Sequence, residues 1–398
     1  MIGNPAVRFV CILLTIPLVG CISHASAQTE TVAEANLDEA CLEATLTGVG
    51  GPPPVAGRAQ SGVFIRYGTR ANNCDAVRLQ FDAGRGTLMR LSQISAQRPP
   101  RFVTPQSLDA LFLTHGHSDH TSSLPDIIAT RWILSKNDGQ FGPGRIPPGR
   151  YSALPVICAD TTCETAEQAT AMWDRYEIPD RVENDFRTTL PTPDIRRFSE
   201  SDTPQIVWDS GDVRVSAVAV SHIPDSVGFL VETPAGSVCI SGDTGPSENL
   251  VELCKSADIL IHDTVHPVLT KVIADPPAGV SDSFMQIVES VYTSHTDAND
   301  LGVYDRPDLT LVMTHMTPAV GAAGFQGIGL PPYLMQTNPT RRPGPVRAQD
   351  FCHALREGGY AGSAHLGVDL MRMRLSKDGL EISAPNEAVT DCDALLTP

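Results

Sequence analysis

Short apolar runs bounded by Gly, Pro and polar turn residues recur along the chain, separated by stretches with helical spacing. Leu42 to Thr47 alternates apolar and polar side chains, as a strand does, and Gly50-Gly51-Pro52-Pro53-Pro54 stops it. Ser61 to Tyr67 and Val77 to Phe81 read as further strands. Asp82-Ala83-Gly84 then turns into a short helix with Leu88 and Leu91 on one face. Leu108 to Thr114 reads as a buried strand, and His120 to Ser135 as a helix with Ile127, Ile128, Trp132 and Ile133 apolar. Leu154 to Cys158 is a strand and Thr165 to Tyr176 a helix. Residues 137–155 form a Gly/Pro-rich loop, and 180–205, polar with several Pro, an irregular insertion. Three strands follow, Val213 to Val220, Val227 to Glu232 and Ser237 to Ser241. Next come a helix over Asn249 to Ser256, a strand over Ile259 to Ile261, a helix over Phe284 to Tyr292 and a strand over Leu309 to Met313. Residues 316–346 wrap the surface or cover a site. A helix at Arg347 to Glu357 and a strand at Val368 to Leu375 close the chain. Strands then helix, twice over, predict two packed sheets with helices outside.

Composition supports a globular chain. Hydrophobic residues make up 41% and charged residues 19% of the 398 positions, enough to build a large core. The net charge of -17, with no dense Lys/Arg run, argues against a nucleic-acid partner. Residues 1–27 read as an export signal: Arg8 precedes an apolar run from Phe9 to Val19 that is too short to favour a membrane span. Ala25-Ser26-Ala27 fits an ordinary cleavage site. Leu18-Val19-Gly20-Cys21 resembles a bacterial lipobox, which would anchor the chain by lipid at Cys21. The expected location is periplasmic or secreted. Residues 28–40 are a flexible segment, and 41–398 a single domain. Cys41, Cys74, Cys158, Cys163, Cys239, Cys254, Cys352 and Cys392 would remain after the signal, and an even number in an exported chain predicts disulfides. Cys158 with Cys163 and Cys352 with Cys392 are the suggested pairs.

The chemistry centres on Thr114-His115-Gly116-His117-Ser118-Asp119-His120. A strand cannot present all these ligands from one face, but a loop leaving its end can. Imidazole and carboxylate suit zinc, with manganese or iron as alternatives. One loop cannot fill two metal spheres. Further ligand-type residues end other apolar strands: His222 after Val220, Asp243 after Ile240 and His315 after Met313.

Together these motifs resemble the metallo-β-lactamase-fold hydrolases, in the ribonuclease Z-like branch that also includes arylsulfatases and phosphodiesterases. Phe81-Asp82-Ala83-Gly84, Gly242-Asp243-Thr244, Ile261-His262-Asp263-Thr264 and Ser294-His295-Thr296 support the resemblance. It implies an α/β fold, a four-layer αββα sandwich with two zinc ions at one edge. His115, His117 and His222 would hold the first ion, Asp119, His120 and His315 the second, and Asp243 would bridge them. A water between the ions would become the nucleophile, with Asp119 orienting or deprotonating it. Asp82 would support the site by hydrogen bonding. His295, paired with Asp263 in place of the family's Glu, would protonate the leaving group. The implied activity is hydrolysis of a small phosphodiester or sulfate ester. A ribonuclease Z-type endonuclease, a lactonase, or a metal-binding lipoprotein without turnover are the alternatives, a β-lactamase fitting less well. Homodimerisation is a further implication.

Overall fold

The computed structural model describes residues 39–52, 54–96, 105–135, 153–184, 190–266, 281–317 and 347–397, with positions 273, 276 and 320. The export signal, most of the loop at 137–155 and nearly all of 316–346 lie outside the described residues.

The first half of the chain supplies β1 (Ala40–Gly48), β2 (Gly62–Thr69), β3 (Val77–Phe81), β4 (Ala110–Phe112), β5 (Pro155–Ala159) and β6 (Asp194–Phe198). The second half supplies β7 (Gln205–Asp209), β8 (Arg214–Ala219), β9 (Val227–Thr233), β10 (Gly236–Ile240), β11 (Ile259–Val265), β12 (Thr310–Thr317) and β13 (Ser363–Leu366). β14 (Arg372–Ser376) and β15 (Gly379–Ser383) return to the first half. One sheet runs β15-β14-β1-β2-β3-β4-β5-β6, and the other β13-β12-β11-β10-β9-β8-β7. In each, an antiparallel set adjoins a parallel one: β3 to β6 are parallel in the first sheet and β10 to β13 in the second.

Among the described residues the α-helices are α1 (Thr87–Ala96), α2 (Ser118–Thr121), α3 (Leu124–Ser135), α4 (Asp160–Glu167), α5 (Glu177–Asn184), α6 (Glu248–Cys254), α7 (Asp282–Ser294), α8 (Ala348–Glu357) and α9 (Cys392–Leu396). Three apolar clusters define four layers. The central one joins the two sheets, with Phe81 stacked on Phe112 at 4.6 Å and Phe229 set against both rings. A second packs the outer face of the β7–β13 sheet beneath α6 and α8, and a third joins the other sheet to α1, α3 and α4. The αββα architecture expected from sequence is present.

Several local expectations differ. The helix expected over Thr165 to Tyr176 starts earlier, at Asp160, and ends at Glu167, with a separate 3-10 turn at Ala171–Trp173. The stretch 180–205 is not an irregular insertion: it ends α5 and contains β6, with β7 starting at Gln205. Both strands lie at sheet edges and carry partly exposed polar residues, so they lack a buried-strand signature. The predicted helix from His120 is two helices, α2 and α3. β11 runs on through His262 and Asp263. β12 continues through His315, where the pairing with β11 slips between Asp263 and Val265.

Among the described residues four disulfides are present: Cys41–Cys74, Cys158–Cys163, Cys239–Cys254 and Cys352–Cys392. Both suggested pairs form.

Candidate active site

Every proposed ligand converges on one edge, where strands of both sheets end. Backbone bonds register the contributing loops: Asp82 N donates to Phe112 O (2.8 Å), Val227 N to Thr114 O (2.9 Å) and Ser241 N to Ile261 O (3.0 Å). The ligand loop follows β4 and turns at once into α2, which carries Asp119 and His120. Asp82 and His315 both adopt positive φ, 54° and 49°. That region is uncommon for residues other than glycine. At His315 it coincides with the slip in β12 pairing, so an irregular strand positions the side chain.

Two ligand sets share Asp243. One gathers His115, His117, His222 and Asp243, and the second Asp119, His120, Asp243 and His315; within each, the ligand-type atoms lie within 4.8 Å of one another, as they do in a third, smaller group of Asp243, Asp263 and His295. In the first, His117 Nδ1 lies 3.0 Å from His115 Nε2 and 3.1 Å from His222 Nε2. His222 Nδ1 donates to Ser294 O at 2.8 Å, which leaves a lone pair on Nε2. One proton on His117 cannot serve both neighbours, whereas a cation accepts all three lone pairs. In the second set, His315 Nε2 lies 2.9 Å from Asp119 Oδ2 and 3.4 Å from Asp243 Oδ2. His120 Nε2 and Asp243 Oδ1 are 3.2 Å apart, and both are buried without a hydrogen-bond partner. Unsatisfied buried atoms of this kind suit a metal pair. The residues therefore fit the group the sequence implied.

Electrostatics agree. Burial, reinforced by the neighbouring His120, holds the pKa of His115 well below its ordinary value and keeps it neutral. His117 and His222 are also lowered, chiefly by burial. Asp243 is held well below the carboxylate range, because His120 and His315 outweigh its burial. His120 is raised well above its ordinary value and His315 is pushed up to about 9, since Asp243 and nearby carboxylates outweigh burial. A bound metal would displace those protons.

The supporting shell is well ordered. Asp82 accepts from Thr114 N at 2.9 Å, from Thr114 Oγ1 at 2.9 Å and from His120 Nδ1 at 2.8 Å. Beside the ligands, His295 Nδ1 donates to Asp263 Oδ2 at 2.8 Å. The shorter Asp263 thus reaches the histidine. Its pKa is lowered: bonds from His262 and His295 outweigh burial. His262 itself packs on Tyr304, and His266 on Phe351, so neither joins the ligand sets. Thr114 and Thr244 stand in the sequence motifs without an assigned role, and Asp225 in none of them, because a hydroxyl or a turn carboxylate carries no ligand signature. Thr114 bridges Asp82 to the ligand histidines, while Thr244 Oγ1 accepts from Ser221 N at 3.2 Å.

The two-sheet sandwich with a paired His/Asp cluster at its edge defines the class: a metallo-β-lactamase-fold hydrolase. The chain belongs to the family described as beta-lactamase superfamily domain, whose model matches residues 78–323, and within it to the ribonuclease Z-like group. It is 31% identical over 336 residues to a ribonuclease Z of Mycolicibacterium paratuberculosis, covering 84% of this chain and 98% of the relative. It is 30% identical over 284 residues to a ribonuclease Z of Mycobacterium bovis, covering 70% and 88% respectively. A metallo-beta-lactamase fold protein from Bacillus subtilis shares the fold at a TM-score of 0.52 and 15% identity, over 84% of this chain and 99% of that one.

Proposed function

We propose that this protein is an exported binuclear zinc phosphodiesterase acting on a small phosphodiester. The observation that carries the reading is the pair of ligand sets sharing Asp243, with the His295–Asp263 couple beside them. His115, His117 and His222 would hold one zinc ion, Asp119, His120 and His315 the other, and Asp243 both. Such a pair supplies Lewis acidity and lowers the pKa of water. The chain's own residues do the rest. Asp119 accepts the proton of the attacking water. Asp82 and Ser294 O fix the tautomers of His120 and His222. Asp263 holds Nδ1–H of His295, so that Nε2 is the atom that protonates the departing alkoxide.

The ribonuclease Z relatives support a phosphodiester as the bond cleaved. The net charge of -17 supports a small substrate over an RNA chain. The four disulfides support an oxidising compartment, in keeping with export and with either a free or a Cys21-anchored form. The single catalytic domain over 41–398 and a homodimer belong to the same proposal. The test is a substrate panel with and without chelator: bis(4-nitrophenyl) phosphate, an aryl sulfate, a lactone, a β-lactam and a structured precursor RNA. Chelator-sensitive turnover of the phosphodiester above all others is expected. Preference for the RNA would favour a ribonuclease Z-type endonuclease, and preference for the sulfate an arylsulfatase.

A further inference from the structure

We infer that Asp225, gripped by the Cys158–Cys163 loop, is a positioning residue for His222 and so governs occupancy of the metal position formed by His115, His117 and His222. The inference rests on the two-metal reading above.

The segment joining β8 to β9 carries His222. It is stitched internally, with Val220 N donating to Ser226 O at 3.0 Å and Ser226 N to Ile223 O at 3.2 Å. Asp225 sits within it at φ +63°, buried. Its Oδ2 accepts from Thr161 N at 2.9 Å and from the Thr161 hydroxyl, while Thr162 Oγ1 donates to Asp225 O at 3.4 Å. On its other side, Asp225 N donates to Glu200 Oε2 at 3.0 Å.

Thr161 and Thr162 lie inside the five-residue span closed by Cys158–Cys163, in the first turn of α4. A disulfide across so short a span restricts the unfolded chain less than a long-range one, so its main effect is local. It fixes the turn that presents these donors. The Thr161 amide is one of the N–H groups left free at a helix start, and a carboxylate there is favoured by the helix dipole. The same helix abuts the other ligand loop: a Cβ placed on Gly116 would lie 3.4 Å from Thr165 Oγ1. Thus α4 holds the His222 loop through Asp225 and lies close beside the His115–His117 loop. His222 Nε2 is 3.1 Å from His117 Nδ1, so a small drift of its loop opens the set.

Three variants test this by zinc stoichiometry and affinity in equilibrium dialysis. Asp225→Gly keeps the positive φ but loses the acceptor, whereas Asp225→Asn keeps both. Cys158→Ser with Cys163→Ser removes the brace. At a free zinc level that loads the wild type with two ions, Asp225→Gly and the double Cys variant should retain one. The affinity for the lost ion should fall roughly 10- to 100-fold. The affinity for the retained ion should not change, and Asp225→Asn should hold both. A general structural defect would weaken both positions together. Wild-type binding by Asp225→Gly, or equal loss of both ions, overturns the inference. Tight binding of both ions by the double Cys variant overturns the disulfide's part. A wild type that never binds two ions refutes the two-metal reading instead.

Discussion

Replacing His295 by Ala removes the imidazole but none of the seven candidate ligands. His295 Nδ1 lies 2.8 Å from Asp263 Oδ2 and 4.0 Å from Asp243 Oδ2, and its side chain is 11% exposed. A positioned general acid contributes roughly 10²- to 10⁴-fold, so kcat on a phosphodiester with an alkyl alkoxide leaving group should fall by that factor. With 4-nitrophenolate, which departs without a proton, the fall should stay within about fivefold. Asp263→Asn leaves the imidazole but removes the anionic acceptor. A hydrogen bond to a charged group is worth about 1.5–3 kcal/mol, so the alkyl substrate should slow by roughly 10- to 150-fold. The assay is steady-state kinetics on matched alkyl and nitrophenyl diesters, with zinc content measured on each variant. Equal losses on both substrates, or loss of zinc from His295→Ala, would refute the proton-donor role.

Three other consequences follow from the geometry. Asp82→Asn turns an amide donor toward either Thr114 or His120, and should weaken zinc binding by roughly 10- to 100-fold in competition titrations. In the metal-free protein His315 is pushed up to about 9. Its ion pairing is therefore fully present below its unfolded pKa of about 6.5 and lost as pH rises through about 9. That contribution is on the order of 3 kcal/mol, so the melting temperature of metal-free protein should drop between these pH values and that of zinc-loaded protein should not. Phe112→Ala leaves a cavity against Phe81 and Phe229, and should cost about 3–5 kcal/mol in denaturant unfolding.

Much of the candidate site was legible because its ligand-type residues are chemically distinctive and sit where apolar runs stop. His115 to His120, His222 and Asp243 follow β4, β8 and β10, and the structure brings them together without adjustment. The Cys158–Cys163 and Cys352–Cys392 pairs were suggested by their places in the chain. The edge strands β6 and β7 were not legible, since Asp194 and Asp209 are exposed and no apolar stripe marks them. Nor was the positive φ of His315, which depends on how β12 pairs with β11. The Asp225 clamp joins residues 64 positions apart, and no local pattern in the sequence ties the carboxylate to Thr161. Buried strands announce themselves by hydrophobicity and metal ligands by residue type, whereas the groups that aim them are ordinary polar residues placed by tertiary contacts.

The central claim is that one shared carboxylate holds two metal ions that perform the hydrolysis. Zinc content and bis(4-nitrophenyl) phosphate hydrolysis should be measured together on wild type and Asp243→Ala, before and after chelation and zinc return. The wild type should carry two ions per chain, lose turnover with them and regain it on reloading, while Asp243→Ala should bind poorly at both positions and stay inactive. Turnover that survives chelation, or an Asp243→Ala protein that still holds two ions and hydrolyses the diester, would contradict the account.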